Sequence, residues 1–300
     1  MSVAGRLPRL RPRFPYGAPA WPTGVDRPPA ERRTGVDFDT EWARRYGVRL
    51  ARALTLDGVT KPVVHTLAAP TVDGLDRLED VEGPVVFAAN HASHMDTPLL
   101  LTCLPPRFRH KAVVLAAADY FFDKRWKGAL WAFAIAAVPM ERTKVSRKSA
   151  QQAAALIDDG WNAVIFPEGG RSPHGWAQPF RGGAAYLSIK CGVPVVPVHI
   201  EGTRRVLKKG AKRLTPSTTH LTFGRPLHPD AGDDARSFSV RLEQAVAALA
   251  DEQATDWWTA RRRAAAGATP SLTGPAAGAW RRTWALGENK REQRRRRWPA

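Results

Sequence analysis

Apolar residues occur along the chain in two alternating patterns. Short continuous apolar runs are typical of buried strands, and stretches in which apolar residues recur every three or four positions are typical of amphipathic helices. The predicted strands lie in residues 70–78, 83–90, 110–118, 135–141, 162–169, 193–202 and 219–227. The predicted helices lie in residues 97–104, 121–135, 146–160, 183–192 and 235–254. This alternation predicts an α/β fold, with a single domain in which helices flank a mostly parallel central sheet.

The two ends of the chain lack this alternation. Residues 1–36 are rich in proline and arginine, so we expect a disordered arm. A basic amphipathic helix is predicted in residues 37–60, and the folded domain in residues 61–256. Residues 257–300 form a basic tail rich in tryptophan and arginine, which includes a flexible linker at residues 264–279.

The predicted N-terminal helix is clearest in residues 39–56. Its apolar face carries Trp42, Tyr46, Leu50, Ala53 and Leu54. Its opposite face carries Arg44, Arg45, Arg49 and Arg52. Two interpretations remain open, because such a helix can lie on an anionic membrane surface or pack on its own domain.

Composition and charge exclude several classes of protein. Cys103 and Cys191 are the two cysteines and do not form a CxxC pair, which argues against a disulfide framework or a zinc site and fits a reducing interior. The longest apolar run, residues 128–140, is shorter than the roughly 18–20 residues that span a bilayer. No secretory signal is visible at the start of the chain.

The formal net charge of +18 is concentrated in the ends of the chain. Residues 1–36 carry 7 arginines against 2 acidic residues, and residues 257–300 carry 11 basic residues against 2. Basic ends with aromatic residues also suit nucleic acids, which makes a nucleic-acid-binding protein the competing class. Because no RNP, helix-turn-helix or zinc-finger signature occurs and the centre is only mildly basic, no nucleic-acid partner is expected.

Four segments follow or contain predicted strands and carry the candidate chemistry. They are NHASHMD (90–96), VPMERTK (138–144), FPEGGRS (166–172) and VPVVPV (193–198). In parallel α/β sheets, sites form outside the carboxyl ends of the strands, and three of the four segments would deliver polar groups to that edge. No GxSxG, Walker A or HExxH motif occurs, so a serine hydrolase, a P-loop enzyme or a zinc protease has no motif support.

The first segment contains two histidines close to Asp96. On a straight helix His91 and Asp96 would point about 140° apart, but a turn before a helix capped by Thr97 and begun by Pro98 lets them approach. That arrangement suits a base held by a carboxylate. His94 is too near Asp96 in sequence for a well-aligned contact. The alternative is that Asp96 only caps the helix and both histidines are surface residues.

The third segment suits a phosphate group. Gly169 and Gly170 allow a tight turn that presents backbone N–H groups, and Arg171 offers a bidentate guanidinium. Glu168 can hold a cationic side chain in place or accept a substrate hydroxyl, and Arg142 is a second candidate phosphate ligand. The alternative is a plain glycine turn with surface ion pairs.

Taken together, the four segments resemble the four ordered sequence blocks of the glycerolipid acyltransferase family. This is the PlsC-type group that includes the 1-acylglycerol-3-phosphate acyltransferases. The resemblance extends over about residues 71–230 and includes the spacing of a histidine, four residues and an aspartate. One position departs from the family pattern, since the third block commonly reads FPEGTRS and here Gly170 replaces threonine.

The resemblance implies a reaction and a set of site residues. His91, oriented by Asp96, would be the general base that activates an acceptor hydroxyl for direct attack on an acyl thioester, without an acyl-enzyme. The substrate-binding residues would be Arg142, Glu168, Gly169 and Arg171. The fourth block would line the acyl region. No metal and no bound cofactor are implied, since acyl-CoA or acyl-carrier protein serves as co-substrate. The expected acceptor is 1-acylglycerol 3-phosphate, with glycerol 3-phosphate or another lysophospholipid as alternatives.

Such an acceptor resides in a bilayer, and the ends of the chain suggest how the protein reaches it. Five tryptophans share the last 44 residues with 11 basic residues. Tryptophan rings favour the headgroup region, and each Lys or Arg near an anionic surface contributes about 1 kcal/mol. We therefore expect peripheral attachment to the cytoplasmic face of a membrane, through residues 39–56 and the basic tail.

Overall fold

The computed structural model describes residues 35–141, 147–172, 174–211 and 213–274. Within this part of the chain one sheet contains seven strands in the order β1-β7-β6-β2-β5-β3-β4. The strands are β1 Pro70–Asp73, β2 Val86–Ala89, β3 Ala112–Ala117, β4 Ala137–Met140, β5 Asn162–Ile165, β6 Val195–Glu201 and β7 Thr219–Phe223. Every neighbouring pair is parallel except β6 and β7. The predicted α/β fold with a mostly parallel sheet is therefore confirmed.

The helices cover both faces of the sheet, so the central strands are apolar on both sides. The helices are α1 Tyr46–Thr55, α2 Lys61–Ala68, α3 Asp96–Cys103, α4 Pro106–Arg109, α5 Ala118–Phe121, α6 Arg125–Ile135, α7 Arg147–Asp158, α8 Gly183–Cys191, α9 Thr203–Val206, α10 Ala235–Ala254 and α11 Trp257–Ala265. A π-helical turn, Leu56–Thr60, joins α1 to α2. Three 3-10 turns are also present, Gly35–Asp37, Glu41–Arg44 and Asp76–Leu78.

Two apolar clusters form the core, one on each face of the sheet. On the face that we call the α3 face, Phe87, Leu99 and Ile135 belong to one cluster with residues of α2 and α4. On the opposite face, which we call the α7 face, Ile157 and Leu242 belong to a second cluster with residues of α8. Because successive strand residues point to opposite faces, strands β2 to β6 contribute side chains to both clusters, whereas β1 and β7 contribute to the α3-face cluster.

The N-terminal helix packs on the domain with the face opposite to the one that amphipathicity indicates. It extends through the π-helical turn to Ala68, beyond the predicted limit at residue 60. Its apolar residues Tyr46, Leu50 and Leu54 are 76%, 50% and 68% exposed, whereas Arg52 is only 7% exposed. Arg52, which the helical pattern places opposite the apolar residues, is therefore buried against the domain, while Tyr46, Leu50 and Leu54 are exposed.

The burial of Arg52 has a local cause at the end of α6. The last carbonyl groups of a helix lack partners within the helix. The Arg52 guanidinium donates hydrogen bonds to two of them, from Nε to Phe133 O at 2.6 Å and from Nη2 to Ala132 O at 3.2 Å. It also donates to Ala43 O. Burial, together with the nearby Arg49 and Arg44, lowers the pKa of Arg52 to about 10. Arg52 therefore joins the N-terminal helix to α6.

The described part of the predicted C-terminal tail is folded onto the domain. Residues 257–265 form α11, and Arg263 pairs with Asp251 of α10 at 2.6 Å. Farther along, Leu272 O accepts a hydrogen bond from Ala177 N at 3.0 Å. The predicted start of the tail at residue 257 stays a prediction. Residues 264–274, which belong to the predicted flexible linker, instead include the end of α11 and a hydrogen bond from the domain to Leu272.

The rest of both ends lies outside the described residues. This holds for residues 1–34 of the predicted arm and for residues 275–300 of the tail. Among the helices that the structure does describe, none combines the length and the apolar character that crossing a bilayer would require.

Candidate active site

Two of the four candidate segments leave the sheet side by side. Strands β2 and β5 are parallel neighbours, with Ala88 paired to Ile165. Their carboxyl ends therefore bring residues 90–96 and 166–172 to the same edge. The two segments are joined by a hydrogen bond from Ser172 N to His91 O at 2.8 Å. This adjacency follows directly from the parallel pairing, as the sequence predicts.

His91 and Asp96 form the expected pair. His91 Nδ1 lies 2.8 Å from Asp96 Oδ2. The same carboxylate oxygen accepts hydrogen bonds from Ala92 N at 2.7 Å and Ser93 N at 2.8 Å. Asp96 is fully buried and is itself the first residue of α3. The prediction that Thr97 caps this helix and Pro98 begins it is wrong, because the helix begins two residues earlier, at Asp96 after the N-cap residue Met95.

The pairing leaves the other ring nitrogen of His91 available for chemistry. A carboxylate at Nδ1 favours the tautomer with a proton on that atom, so Nε2 carries the lone pair that can accept a proton. The ring stacks on Phe166 with centroids 4.2 Å apart, which fixes its orientation. His91 also lines the large cavity at this edge of the sheet.

His94 occupies a different position in the same segment. Its Nε2 lies 3.0 Å from the hydroxyl of Tyr120, and its ring stacks on the ring of Tyr120 with centroids 5.3 Å apart. Asp96 Oδ2 is thus hydrogen-bonded to the ring of His91. The ring of His94 is hydrogen-bonded to Tyr120, which lines the cavity.

Glu168 belongs to the segment 166–172 and joins it to the segment 90–96. Only 2% of its surface is exposed. Its Oε1 accepts a hydrogen bond from His91 N at 2.7 Å, and its Oε2 accepts one from Gln178 N at 2.8 Å. Burial raises the pKa of Glu168 to about 7, against the lowering effect of these two hydrogen bonds. The position of Glu168 thus differs from the predicted substrate contact and is that of a group that positions the backbone of His91.

The glycine turn after Glu168 presents its backbone to the cavity. Gly169 has a φ of +69°, a conformation that glycine adopts without strain. A side chain at Gly169 would also approach within 3.0 Å of the guanidinium of Arg181. At Gly170, by contrast, a Cβ atom would meet nothing within 4 Å. The replacement of the usual threonine by Gly170 is therefore not required by local packing.

Among the residues that the structure describes, three cationic side chains lie next to this turn and line the cavity. Arg171, Arg181 and Lys209 all line it, and Lys209 Nζ donates to Arg171 O at 2.9 Å. Arg171 was a candidate from the sequence, whereas Arg181 and Lys209 were missed. The available signal for Arg181 was its place in the FRGG stretch after the third segment, but Lys209 reaches the turn only through the fold. Arg142 lies outside the described residues, so its role stays a prediction.

The cavity has a volume of about 1290 Å³ and a mainly apolar wall. Among the described residues that line the cavity, none belongs to the fourth segment, residues 193–198. Its valines Val195, Val196 and Val198 are fully buried inside β6. The segment therefore lies outside the wall of this cavity, and its expected place at the acyl region stays a prediction. No cluster of three or more potential metal ligands occurs among the described residues.

The sequence model of the acyltransferase family matches residues 69–201. A chloroplast 1-acyl-sn-glycerol-3-phosphate acyltransferase from Brassica napus is 26% identical over 170 residues, 54% of this chain and 46% of the relative. The human 1-acyl-sn-glycerol-3-phosphate acyltransferase alpha is 26% identical over 178 residues, 58% of this chain and 61% of the relative. The chain thus spans about half the length of the curated relatives that it matches.

A solved structure supports the same fold. The crystal structure of the 1-acyl-sn-glycerophosphate acyltransferase PlsC from Thermotoga maritima matches with a TM-score of 0.55 at 24% sequence identity. The match covers 72% of this chain and 83% of that structure. Residues 69–201 of this chain thus match the acyltransferase family model, and the chain is similar to curated 1-acyl-sn-glycerol-3-phosphate acyltransferases.

Proposed function

We propose that this protein transfers a fatty acyl group from acyl-CoA or acyl-carrier protein to the free hydroxyl of 1-acylglycerol 3-phosphate, which yields phosphatidic acid. The observation that carries the proposal is the bond of 2.8 Å between His91 Nδ1 and Asp96 Oδ2 at the wall of a large apolar cavity. The curated relatives are named 1-acyl-sn-glycerol-3-phosphate acyltransferases, which supports the same acceptor.

In the proposed reaction His91 acts as a general base. Nε2 removes the proton of the acceptor hydroxyl while the hydroxyl oxygen attacks the thioester carbonyl. The tetrahedral intermediate then expels the thiolate, and His91 returns the proton to the sulfur, so no acyl-enzyme forms. Asp96 stabilises the imidazolium that forms between these steps. A positioned base of this kind contributes roughly 10²–10⁴-fold to the rate.

The cations around the glycine turn are the proposed binding site for the acceptor phosphate. Arg171 offers a planar guanidinium that matches phosphate geometry. The N–H group of Gly169 donates a hydrogen bond to Phe166 O at 3.0 Å, so the proposed backbone donors of this turn are the N–H groups of Gly170 and Arg171. Arg181 and Lys209 lie at the same rim and extend the site. Arg142 remains a proposed ligand from the sequence. Glu168 takes part indirectly, because it holds the backbone of His91 next to this turn.

The decisive experiment is an acyl-transfer assay with purified protein, an acyl-CoA or acyl-carrier protein donor, and a panel of hydroxyl acceptors. We expect His91→Ala to reduce the rate by at least about 10²-fold, because the base is removed. His94→Ala should retain partial activity, since its ring contacts Tyr120. If wild-type protein acylated none of the acceptors, or if His94→Ala were the more damaging change, this mechanism would be abandoned.

Arg171→Ala tests the phosphate site separately. We expect the rate with 1-acylglycerol 3-phosphate to fall more than the rate with the matching acceptor that lacks phosphate, 1-acylglycerol. An equal loss with both acceptors would assign Arg171 a structural role and remove it from the phosphate site.

We also propose peripheral attachment to the cytoplasmic face of a membrane. The support is an exposed apolar stripe along the N-terminal helix, made up of Tyr46, Leu50, Leu54, Val59 and Val63. Trp257 and Trp258 of α11 are exposed as well. We propose the cytoplasmic face of the membrane because Cys103 and Cys191 are free cysteines, which fit a reducing compartment.

Vesicle flotation tests this attachment. The double variant Leu50→Ser, Leu54→Ser should bind anionic vesicles more weakly, because the membrane would bury less of its apolar surface. Each Å² of apolar surface removed from water contributes about 25 cal/mol to the binding free energy. Val240→Ser, an exposed valine on α10, is the control and should bind like wild type. Unchanged flotation of the double variant would exclude the stripe as the attachment surface.

A further inference from the structure

The cavity extends to both faces of the sheet. Val114 and Leu115 are consecutive residues of β3, and both line it. Ile165 at the end of β5 and the adjacent Phe166 also both line it. Consecutive residues of an extended strand point to opposite faces. A single cavity therefore passes around the carboxyl ends of β3 and β5 and has one arm on each face.

The first arm lies on the α3 face. Its wall includes Leu56, Met95, Trp131, Ala134 and Ile135. Met95 and Ile135 belong to the core cluster of this face, and Trp131 and Ala134 pack against that cluster. Residues of three helical elements line this arm, α3, α6 and the π-helical turn.

The second arm lies on the α7 face. Its wall includes Met140, Ala150, Ile165, Tyr186 and Leu187. Ile165 and Met140 pack against the core cluster of this face, and Leu187 belongs to it. Helices α7 and α8 thus bound this arm, as α3 and α6 bound the other. His91 and the turn at Gly169 line the cavity at the edge of the sheet from which the two arms extend.

The two apolar arms indicate how many acyl chains the reaction site can hold. The cavity volume of about 1290 Å³ exceeds the range of about 300–1,000 Å³ that is usual for a site with one drug-sized ligand. Direct acyl transfer needs two substrates at His91 at the same time. One of them, the donor, always brings an acyl chain. An acceptor without a chain, such as glycerol 3-phosphate, would leave one apolar arm unfilled.

We infer that the two arms hold two acyl chains at once, that of the donor and that of the acceptor, on opposite faces of the sheet. This inference rests on the proposed acyl transfer and specifies its acceptor class as a lipid that already carries one chain. The length of each chain that the enzyme accepts is then set by different residues, those of the α3-face arm for one substrate and those of the α7-face arm for the other.

Two matched substitutions test the inference. Ala134→Leu narrows the α3-face arm from α6, and Ala150→Leu narrows the α7-face arm from α7. Ala155→Leu is the control, because Ala155 is exposed on α7 and lies outside the cavity wall. Initial rates are measured for each variant with a series of acyl-CoA chain lengths and, separately, with a series of 1-acylglycerol 3-phosphate chain lengths.

We expect each narrowing variant to lower the rate for the longest chains of one substrate by about tenfold or more, and to leave the chain-length profile of the other substrate unchanged. The two variants should affect different substrates, and either assignment of substrate to arm supports the inference. If both variants altered the profile of the same substrate, or if one arm affected neither profile, the inference would be overturned.

Widening variants keep the test informative if a narrowed protein does not fold. Trp131→Leu enlarges the α3-face arm and Met140→Ala the α7-face arm, and each should extend one profile to longer chains. Glycerol 3-phosphate provides a further check on wild-type protein. If it were acylated as readily as 1-acylglycerol 3-phosphate, the two-chain inference would fail while the proposed acyl transfer stood. If no acceptor at all were acylated, the proposed function itself would fail.

Discussion

Two buried charged side chains hold backbone segments in place, one at the active site and one at the N-terminal helix. Glu168 accepts hydrogen bonds from the backbone N–H groups of His91 and Gln178. Arg52 donates hydrogen bonds to the backbone carbonyl groups of Ala132 and Phe133. Each is almost entirely buried. Their sequence contexts differ. Glu168 lies in the FPEGGRS segment, whereas Arg52 lies on the arginine-bearing face of the predicted N-terminal helix.

The comparison shows that motif membership identifies a residue without identifying its task. From the motif, Glu168 is a substrate ligand, but its carboxylate oxygens are bonded to the backbone of two segments. The helical pattern predicts that Arg52 lies opposite the apolar residues. In the structure its guanidinium donates hydrogen bonds to carbonyl groups at the end of α6 that lack partners within that helix. In both residues the backbone groups of other segments determine the function of the side chain.

The largest expected effect is on activity, from Glu168→Gln. The amide keeps the shape of the side chain but has one oxygen, so a backbone N–H of either His91 or Gln178 would face an NH₂ group. The resulting displacement of His91 should lower kcat by about 10²-fold, with a smaller change in KM. Steady-state kinetics with 1-acylglycerol 3-phosphate measures both constants.

Glu243→Gln is the matched control for that substitution. Its Oε2 accepts a single hydrogen bond, from Phe180 N at 2.8 Å, which an amide oxygen can also accept. We expect it to retain most of the wild-type kcat. Equal losses in the two variants would mean that Glu168 only contributes to general stability and does not position His91.

The next effect concerns stability, from Arg52→Met. Methionine fills a similar volume but leaves the carbonyl groups of Ala132 and Phe133 without their donor. We expect the free energy of unfolding to fall by about 3 kcal/mol. Urea denaturation measures it, with Arg45→Met as control, because Arg45 is exposed and should change stability by less than about 0.5 kcal/mol. A loss in Arg52→Met as small as in the control would contradict the role of Arg52.

The last effect is a pH dependence of stability that comes from Glu168. Its pKa is about 7 in the folded protein and is ordinarily 4.5. Between these values the folded state keeps a proton that the unfolded state has released, so stability must fall as pH rises through this window. The total difference is on the order of 3 kcal/mol, spread over the whole window.

Comparison of wild type with Glu168→Gln isolates that dependence. The stability of wild type relative to the variant should decrease as pH rises from about 5 to about 7 and should then level off. Thermal unfolding of both proteins across this range measures the difference. A relative stability that stayed constant, or that rose with pH, would show that the pKa of Glu168 is not raised in the folded state.

The sequence alone determined the alternation of strands and helices, the parallel sheet and the pairing of His91 with Asp96. These depend on local patterns: buried runs predict strands, and parallel strands place the segments that follow them at one edge. It also identified the glycine turn and Arg171. For the same reason it could not find Lys209, which reaches the turn only because residues after β6 fold back over Arg171.

Only the tertiary structure decided which side of the N-terminal helix is buried, how Glu168 is used and where the cavity runs. Amphipathicity ranks the two faces of a helix by polarity, but the unpaired carbonyl groups of α6 made a cation the better buried side chain. The cavity likewise depends on gaps between helices that are distant in sequence. Local pattern specifies which elements form, and packing between elements specifies which side chains they leave at the site.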